Sequence, residues 1–166
     1  MVSRRYPPST ESRILNDGIF GNDFTFPAVL FAMKIFLVDD SLIVCARLIT
    51  MLTDIDGVEI IGQARTPSDA VTSILRVIPD LIIMDIQMPG GTGIDVLIKI
   101  REHHCLAKVI IFTNFPYPQY RKKCEAAGAD YFFDKSNEFE SVIRVVEQMK
   151  KSRLELPERN LNRQSD

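Results

Sequence analysis

The sequence predicts an α/β protein built on one parallel sheet with helices on both faces, and three observations lead there. Five short apolar runs alternate with five stretches whose apolar residues recur at helical spacing. The connections between them are short, which favours consecutive β-α units over separate domains. Two of the runs, Ile35-Phe36-Leu37-Val38 and Leu81-Ile82-Ile83-Met84, are apolar without alternation. That is the pattern of a strand covered on both faces.

The elements follow in order. Ile35–Val38 is the first strand. Ser41, after Asp39-Asp40, is the expected N-cap of a helix whose face is Leu42, Cys45, Leu48, Ile49 and Leu52. Gly57 ends that unit, and Val58–Gly62 is the second strand. Thr66-Pro67-Ser68 starts the second helix, with proline tolerated in its first turn. Its face is Ala70, Val71, Ile74, Leu75 and Ile78. Pro79-Asp80 breaks it before the third strand, Leu81–Met84. Met88-Pro89-Gly90-Gly91-Thr92-Gly93 cannot continue a strand and reads as a loop. Ile94, Leu97 and Ile98 then suggest a third helix that ends near His103-His104. Lys108–Thr113 is the fourth strand. Pro116 and Pro118 bracket the start of the fourth helix, Gln119 to Ala127, and Gly128 suits the position past its end. Ala129–Phe133 is the fifth strand. Phe139, Val142, Ile143, Val146 and Met149 form the face of the fifth helix.

The totals narrow the class. The chain has 166 residues, 46% of them hydrophobic and 25% charged, an ordinary globular composition with room for one domain. A net charge of −2 gives no general pull toward nucleic acid or an anionic membrane, and neither is expected as a partner. No apolar run approaches the roughly 20 residues of a membrane helix. Cys45, Cys105 and Cys124 form no metal-ligand spacing and read as thiols in a reducing, cytoplasmic setting. Residues 1–32 are polar and proline-rich, with Gly18, Gly21, Asn22 and Asp23 but no sustained period. They read as a disordered or loosely packed extension. Arg4 and Arg5 are followed by Pro7 and Pro8 rather than the apolar core of a signal peptide. Met33 stands just before the first strand and is a candidate natural start, which mass spectrometry of the native N-terminus would decide. Residues 33–151 form the folded domain, and 152–166 read as a flexible charged tail.

The chemistry lies at the carboxyl ends of the strands, where open parallel sheets bind ligands. The first strand ends in Asp39-Asp40, the third in Asp85, the fourth in Thr113, and Asp134-Lys135 follows the fifth. Strands about 5 Å apart bring such groups into one pocket. Each has a plain structural reading alone: paired aspartates cap helices, Asp85 suits a turn, a lysine is commonly solvated, and threonine suits strands. Their joint placement carries the argument. Three converging acids repel one another unless a hard cation joins them, and Mg²⁺ (or Mn²⁺) accepts carboxylates and water. A carboxylate can then act as nucleophile toward phosphorus, with Lys135 and Thr113 on the phosphoryl oxygens.

On Phe36-Leu37-Val38-Asp39-Asp40-Ser41, Met84-Asp85-Ile86-Gln87-Met88-Pro89 with Gly93, Ile111-Phe112-Thr113, and Gly128-Ala129-Asp130-Tyr131-Phe132-Phe133-Asp134-Lys135-Ser136, the chain resembles the receiver domains of response regulators. The resemblance spans Met33 to Lys151. It implies a flavodoxin-like (βα)5 fold of strand order 2-1-3-4-5. It implies phosphorylation of Asp85 by a histidine kinase or histidine phosphotransfer protein. It makes Asp39, Asp40, Asp85 and the backbone carbonyl of Gln87 the metal ligands, Thr113 and Lys135 the catalytic partners of Asp85, and Thr113 with Phe132 the switch pair. The downstream protein target would meet the surface of the fourth helix, fifth strand and fifth helix, which carries Tyr120, Arg121, Phe132 and Arg144. Departures fall at Asn114, where the family has a small residue, at the neighbouring Phe115, at Ile86, and at Ser136, where many members have proline.

Three functions fit these residues. The first is a single-domain phosphorylated receiver that switches protein contacts or relays the phosphoryl group, catalysing only its own phosphorylation and dephosphorylation. The second is a degenerate receiver acting as a phosphorylation-independent interaction module, with Asn114 and Phe115 obstructing the site. The third is a metal-dependent aspartyl phosphatase of haloacid-dehalogenase type. That family shows D-x-D-x-T/V after the first strand, which Asp39-Asp40-Ser41-Leu42 does not match, and failure to hydrolyse small phosphate esters would exclude it.

Overall fold

The computed structural model describes residues 32–154. The expectations for residues 1–31 and 155–166 lie outside the described residues. Five parallel strands form the sheet: β1 Met33–Val38, β2 Val58–Ala64, β3 Leu81–Met84, β4 Lys108–Thr113 and β5 Tyr131–Asp134. Their order is β2-β1-β3-β4-β5, which is the flavodoxin-like order. Five helices connect and complete them: α1 Leu42–Thr53, α2 Pro67–Val77, α3 Gly93–Glu102, α4 Pro118–Ala126 and α5 Phe139–Leu154.

Period-two alternation along each strand splits the core in two. Phe36, Val38, Ile82, Met84, Val109 and Ile111 point to one face, where Ile74 of α2, Leu97 and Ile100 of α3 and Cys124 of α4 cover them. Met33, Ile35, Leu37, Ile83, Ile110 and Phe112 point to the other, beneath Leu48 and Leu52 of α1 and Val142 and Val146 of α5. The uninterrupted apolar runs are therefore buried on both sides, as their composition requires.

Caps fix the helix starts. Ser41 accepts from the backbone N–H of Val44, Thr66 from Asp69, and Thr92 and Asp95 form a reciprocal capping box. Several expectations are corrected. Leu42, Ile78 and Ile98 are 60, 74 and 43% exposed rather than on buried faces. Leu42 is the first residue of α1. Ile78 caps α2 in the left-handed region, because Pro79 disfavours the helical conformation before it. In α3 the buried stripe is Gly93, Val96, Leu97 and Ile100, one step round from the stripe through Ile94 and Ile98. β2 runs on to Ala64, which pairs with Val38. α4 starts one residue early, at Pro118, and ends at Ala126. β5 begins only at Tyr131, because the N–H of Ala129 bonds to Cys124 and closes the end of α4 around Gly128, whose φ is +94°. The expected loop after β3 contains a short antiparallel ladder, Gln87–Met88 against Gly91–Thr92.

Candidate functional site

Register places the acids side by side. Val38 of β1 pairs with Met84 of β3, so the residues that follow, Asp39 and Asp85, are neighbours. The chain leaves β1 toward β2 and β3 toward β4, in opposite directions, which opens a crevice at their ends. Asp39, Asp85, Thr113 and Lys135 are the only buried polar or charged side chains among the described residues. Asp40 is half-buried at the rim.

Lys135 holds the cluster together. Its Nζ lies 2.7 Å from Asp85 Oδ2 and 2.6 Å from Asp39 Oδ2. The backbone N–H of Ile86 donates to Asp85 Oδ1 at 2.6 Å, and that of Ser41 to Asp39 Oδ1 at 2.9 Å. Each buried carboxylate oxygen is thus met by a donor, and no buried side-chain nitrogen or oxygen among the described residues lacks a partner. Burial pushes the Asp39 carboxyl above its ordinary value, and the Lys135 hydrogen bond and charge offset this only in part. Burial likewise pushes up the thiol of Cys45, whose Sγ faces the Asp39 carbonyl.

The chain's end of β5 explains where the lysine comes from. Asp134 Oδ1 accepts from both the N–H and the hydroxyl of Ser136, and Glu138 accepts from the N–H of Asp134. This tight turn aims Lys135 inward while its own N–H donates to the Thr113 carbonyl at 2.9 Å. The Ser136 N–H holds the Asp134 carboxyl below its ordinary value. The Thr113 hydroxyl accepts from the N–H of Phe115 at 3.2 Å.

One oxygen from each of Asp39, Asp40 and Asp85 lies within 4.8 Å of the others. Three hard carboxylates at one open edge suit Mg²⁺ or Mn²⁺ rather than a softer metal. Gln87, Met88, Pro89, Asn114 and Phe115 join Asp40 and Asp85 around a depression of ≈ 360 Å³. Asn114 and Phe115 therefore do stand at the mouth, together with the exposed Gln87. Phe132 stands apart from the acids, 6% exposed and packed in the cluster that α2, α3 and α4 cover.

Three residues named in the motif reading contribute in ways that it did not assign. The backbone N–H of Ile86 fixes the Asp85 carboxylate, and no side-chain pattern reports a backbone donor. The N–H of Phe115 engages Thr113 for the same kind of reason. Gly93 is where α3 meets Asp85: an added Cβ would overlap the Asp85 carbonyl oxygen. Gly93 stands in the motif, but nothing in the sequence reports this close approach.

The family model described as the response regulator receiver domain matches residues 35–147. The chain is 33% identical over 129 residues to the transcriptional regulatory protein DesR of Bacillus subtilis, covering 76% of this chain and 63% of that one. It is 30% identical over 135 residues to the uncharacterized transcriptional regulatory protein YvfU of the same organism, covering 81% and 68%. The chain thus spans about two thirds of the length of these relatives. Among solved structures, a DNA-binding response regulator of the LuxR family from Staphylococcus aureus superposes with a TM-score of 0.66 at 27% identity, covering 71% of this chain and 98% of that one. A CheX–CheY–BeF3–Mg complex from Borrelia burgdorferi gives 0.65 at 28% identity, covering 70% and 88%.

Proposed function

Since the chain belongs to the response regulator receiver domain family, we propose that it is a phosphoryl-accepting switch whose acceptor is Asp85. A histidine kinase or histidine phosphotransfer protein would be the donor. A carboxylate oxygen of Asp85 attacks phosphorus, the phosphorus–nitrogen bond to the donor histidine breaks, and the imidazole leaves. The product is an acyl phosphate on Asp85. Asp39, Asp40, Asp85 and the carbonyl of Gln87 would hold Mg²⁺ (or Mn²⁺), which supplies positive charge to the phosphoryl oxygens when bound. Lys135 then exchanges its contact with Asp85 Oδ2 for a phosphoryl oxygen. The Thr113 hydroxyl leaves the N–H of Phe115 to donate to another.

The observation that carries this reading is the single buried ammonium bridging two buried carboxylates at 2.6 and 2.7 Å. A buried ion cluster is weak support for stability, and here it assembles a nucleophile, its neutralising cation and two further acids at one open edge. Phosphorylation would draw Thr113 toward Asp85 and hold the already buried Phe132 ring inward, fixing the α4-β5-α5 surface on which a protein target would dock. No nucleic-acid partner is expected of the chain, on its net charge of −2. The two relatives from Bacillus subtilis named as transcriptional regulatory proteins extend beyond the matched part. Among the described residues no helix is long and apolar enough to cross a membrane.

Intact mass after incubation with Mg²⁺ and acetyl phosphate tests the proposal. Wild type should gain one phosphoryl group and Asp85→Asn none. An adduct on Asp85→Asn would mean another acceptor. A phosphorylation-independent interaction module is the second reading, favoured by the already buried Phe132. Absence of an adduct with acetyl phosphate and with a panel of histidine kinases would select it.

A further inference from the structure

On the reading above the switch aromatic of this chain is Phe132, and a phenylalanine ring has no hydroxyl with which to anchor itself. Something else must hold the ring where it is. The guanidinium carbon of Arg121, on α4, lies 4.4 Å from the centroid of the Phe132 ring. Its Nη1 also donates to the Phe132 carbonyl, at 3.4 Å. One exposed side chain thus grips one buried residue at two places, ring face and backbone. Guanidinium suits this double role, since its plane stacks on an aromatic face while its edge still carries donors. Beside them, a cavity of ≈ 250 Å³ is lined by Arg121, Glu125, Ala129, Tyr131, Phe132 and Phe133. It gives the ring somewhere to go when the grip is released.

We propose that Arg121 is a positioning residue for the switch: it latches the Phe132 ring in the buried position, and so sets how readily Asp85 takes a phosphoryl group. The second half rests on the acceptor reading above, while the first does not. By linkage, whatever favours the ring position that accompanies phosphorylation also favours phosphorylation. Loss of an exposed cation–π contact corresponds to a change of about two- to five-fold. A carboxylate on a docking protein that drew Arg121 away would act on Asp85 by the same route.

The test uses Phe132 as its own reporter. The chain is labelled with ring-¹³C phenylalanine, and the Phe132 signals are assigned with Phe132→Leu. Relaxation by a soluble paramagnetic probe then measures ring exposure in wild type, Arg121→Lys and Arg121→Met, without metal. The expected result is a shielded ring in wild type, clear exposure in Arg121→Met and an intermediate value in Arg121→Lys. Beryllofluoride is then titrated with Mg²⁺ present, followed at the amides of Asp85 and Ile86. The midpoint should rise about two- to five-fold in Arg121→Met, and this rise should vanish on a Phe132→Leu background. Unchanged ring exposure in Arg121→Met overturns the latch, even if the variant melts earlier. An exposed ring with an unchanged midpoint overturns its link to Asp85. If wild type itself gives no beryllofluoride response, the acceptor reading fails, and ring exposure alone decides the latch.

Discussion

Replacing Gly93 by alanine tests how the acceptor is seated. Gly93 opens α3, and its N–H donates to the Ile86 carbonyl at 2.8 Å. Its backbone is not in the left-handed region, so the demand for glycine there is one of space alone. An added Cβ would overlap the Asp85 carbonyl oxygen and lie 3.0 Å from Met84 Cγ, where ordinary contact begins at 3.4 Å. The first of these neighbours is backbone and cannot rotate away. Either α3 retreats and loses the bond to Ile86, or the Asp85 backbone shifts and carries its carboxylate with it. Overpacking of this kind costs about 1–3 kcal/mol and the lost hydrogen bond about 1, while the better helix propensity of alanine returns up to about 1. The expected net loss is about 1–4 kcal/mol, or roughly 4–20 °C in Tm for a domain of this size. Gly90→Ala is the contrasting variant: its φ is +88° with nothing within 4 Å, so it carries about 1–2 kcal/mol of backbone strain and no clash. Urea midpoints and the initial rate of phosphorylation by acetyl phosphate should be measured on both. Gly93→Ala should phosphorylate at least tenfold slower than Gly90→Ala, on the order of the cost of a misplaced reacting group. Equal rates, or a Gly93→Ala midpoint within experimental scatter of wild type, would refute the steric argument.

Two further outcomes follow from the acid cluster. Lys135→Met leaves Asp39 and Asp85 facing each other without their shared cation. Loss of one partner from a buried ion cluster costs about 3–5 kcal/mol, to be read as a lower urea midpoint in chelator, and millimolar Mg²⁺ should restore part of it. Asp39→Asn should shift stability the other way. The folded-state carboxyl of Asp39 sits above its ordinary value of 3.8 because of burial. The native protein therefore binds that proton more tightly than the unfolded chain, and stability rises as pH falls through the folded-state value toward 3.8. At pH 7, without metal, Asp39→Asn should be more stable than wild type, and the difference should shrink on acidification. With Mg²⁺ the order should reverse, because only wild type gains from binding. A variant less stable than wild type at pH 7 in chelator would show that the Lys135 contact outweighs the desolvation.

Much of this was legible in the residues, and the limits have physical causes. Leu81–Met84 reads as a buried strand at both ends because nothing in it alternates, and its bounds in the structure are the same. Ser41 and Thr66 declare their helices because a hydroxyl there has one evident use. Asp39, Asp85, Thr113 and Lys135 could be placed at one edge because parallel strands all end on the same side. Helix faces were less legible. In α3 an apolar residue stands at 94, 96, 97, 98 and 100, so spacing alone does not choose among overlapping stripes. Packing against α2 and the sheet chose Val96, Leu97 and Ile100. The start of β5 was missed because Ala129 has the composition of a strand and the hydrogen bond of a helix end. Arg121 was visible only as an exposed arginine. That it covers Phe132, eleven positions on, depends on how α4 lies against β5.

The same edge that gathers the acids offers a route by which the proposed phosphorylation of Asp85 would reach a surface well away from it. Asp85 touches Lys135 by its side chain, and Lys135 is bonded to Thr113 by its backbone. Thr113 stands opposite Asp134 in the β4–β5 register, and Ile111 stands opposite Phe132. Two residues on one strand are thus in step with two on the next, so the ends of β4 and β5 are held in fixed register. The Thr113 hydroxyl has one partner now, the N–H of Phe115, and drawing it toward Asp85 would break that bond and free the loop leading into α4. α4 is suited to respond. Its N-cap, Tyr117, makes no side-chain cap bond, and Cys124 is its one fully buried residue. Few buried contacts mean a low cost of local movement. Arg121 rides on this lightly held helix while gripping a residue of the well-packed sheet. On the proposed reading the signal would pass where a loosely seated element is fastened to a tightly seated one, and the strength of that fastening, rather than the distance to Asp85, would decide how far the surface answers.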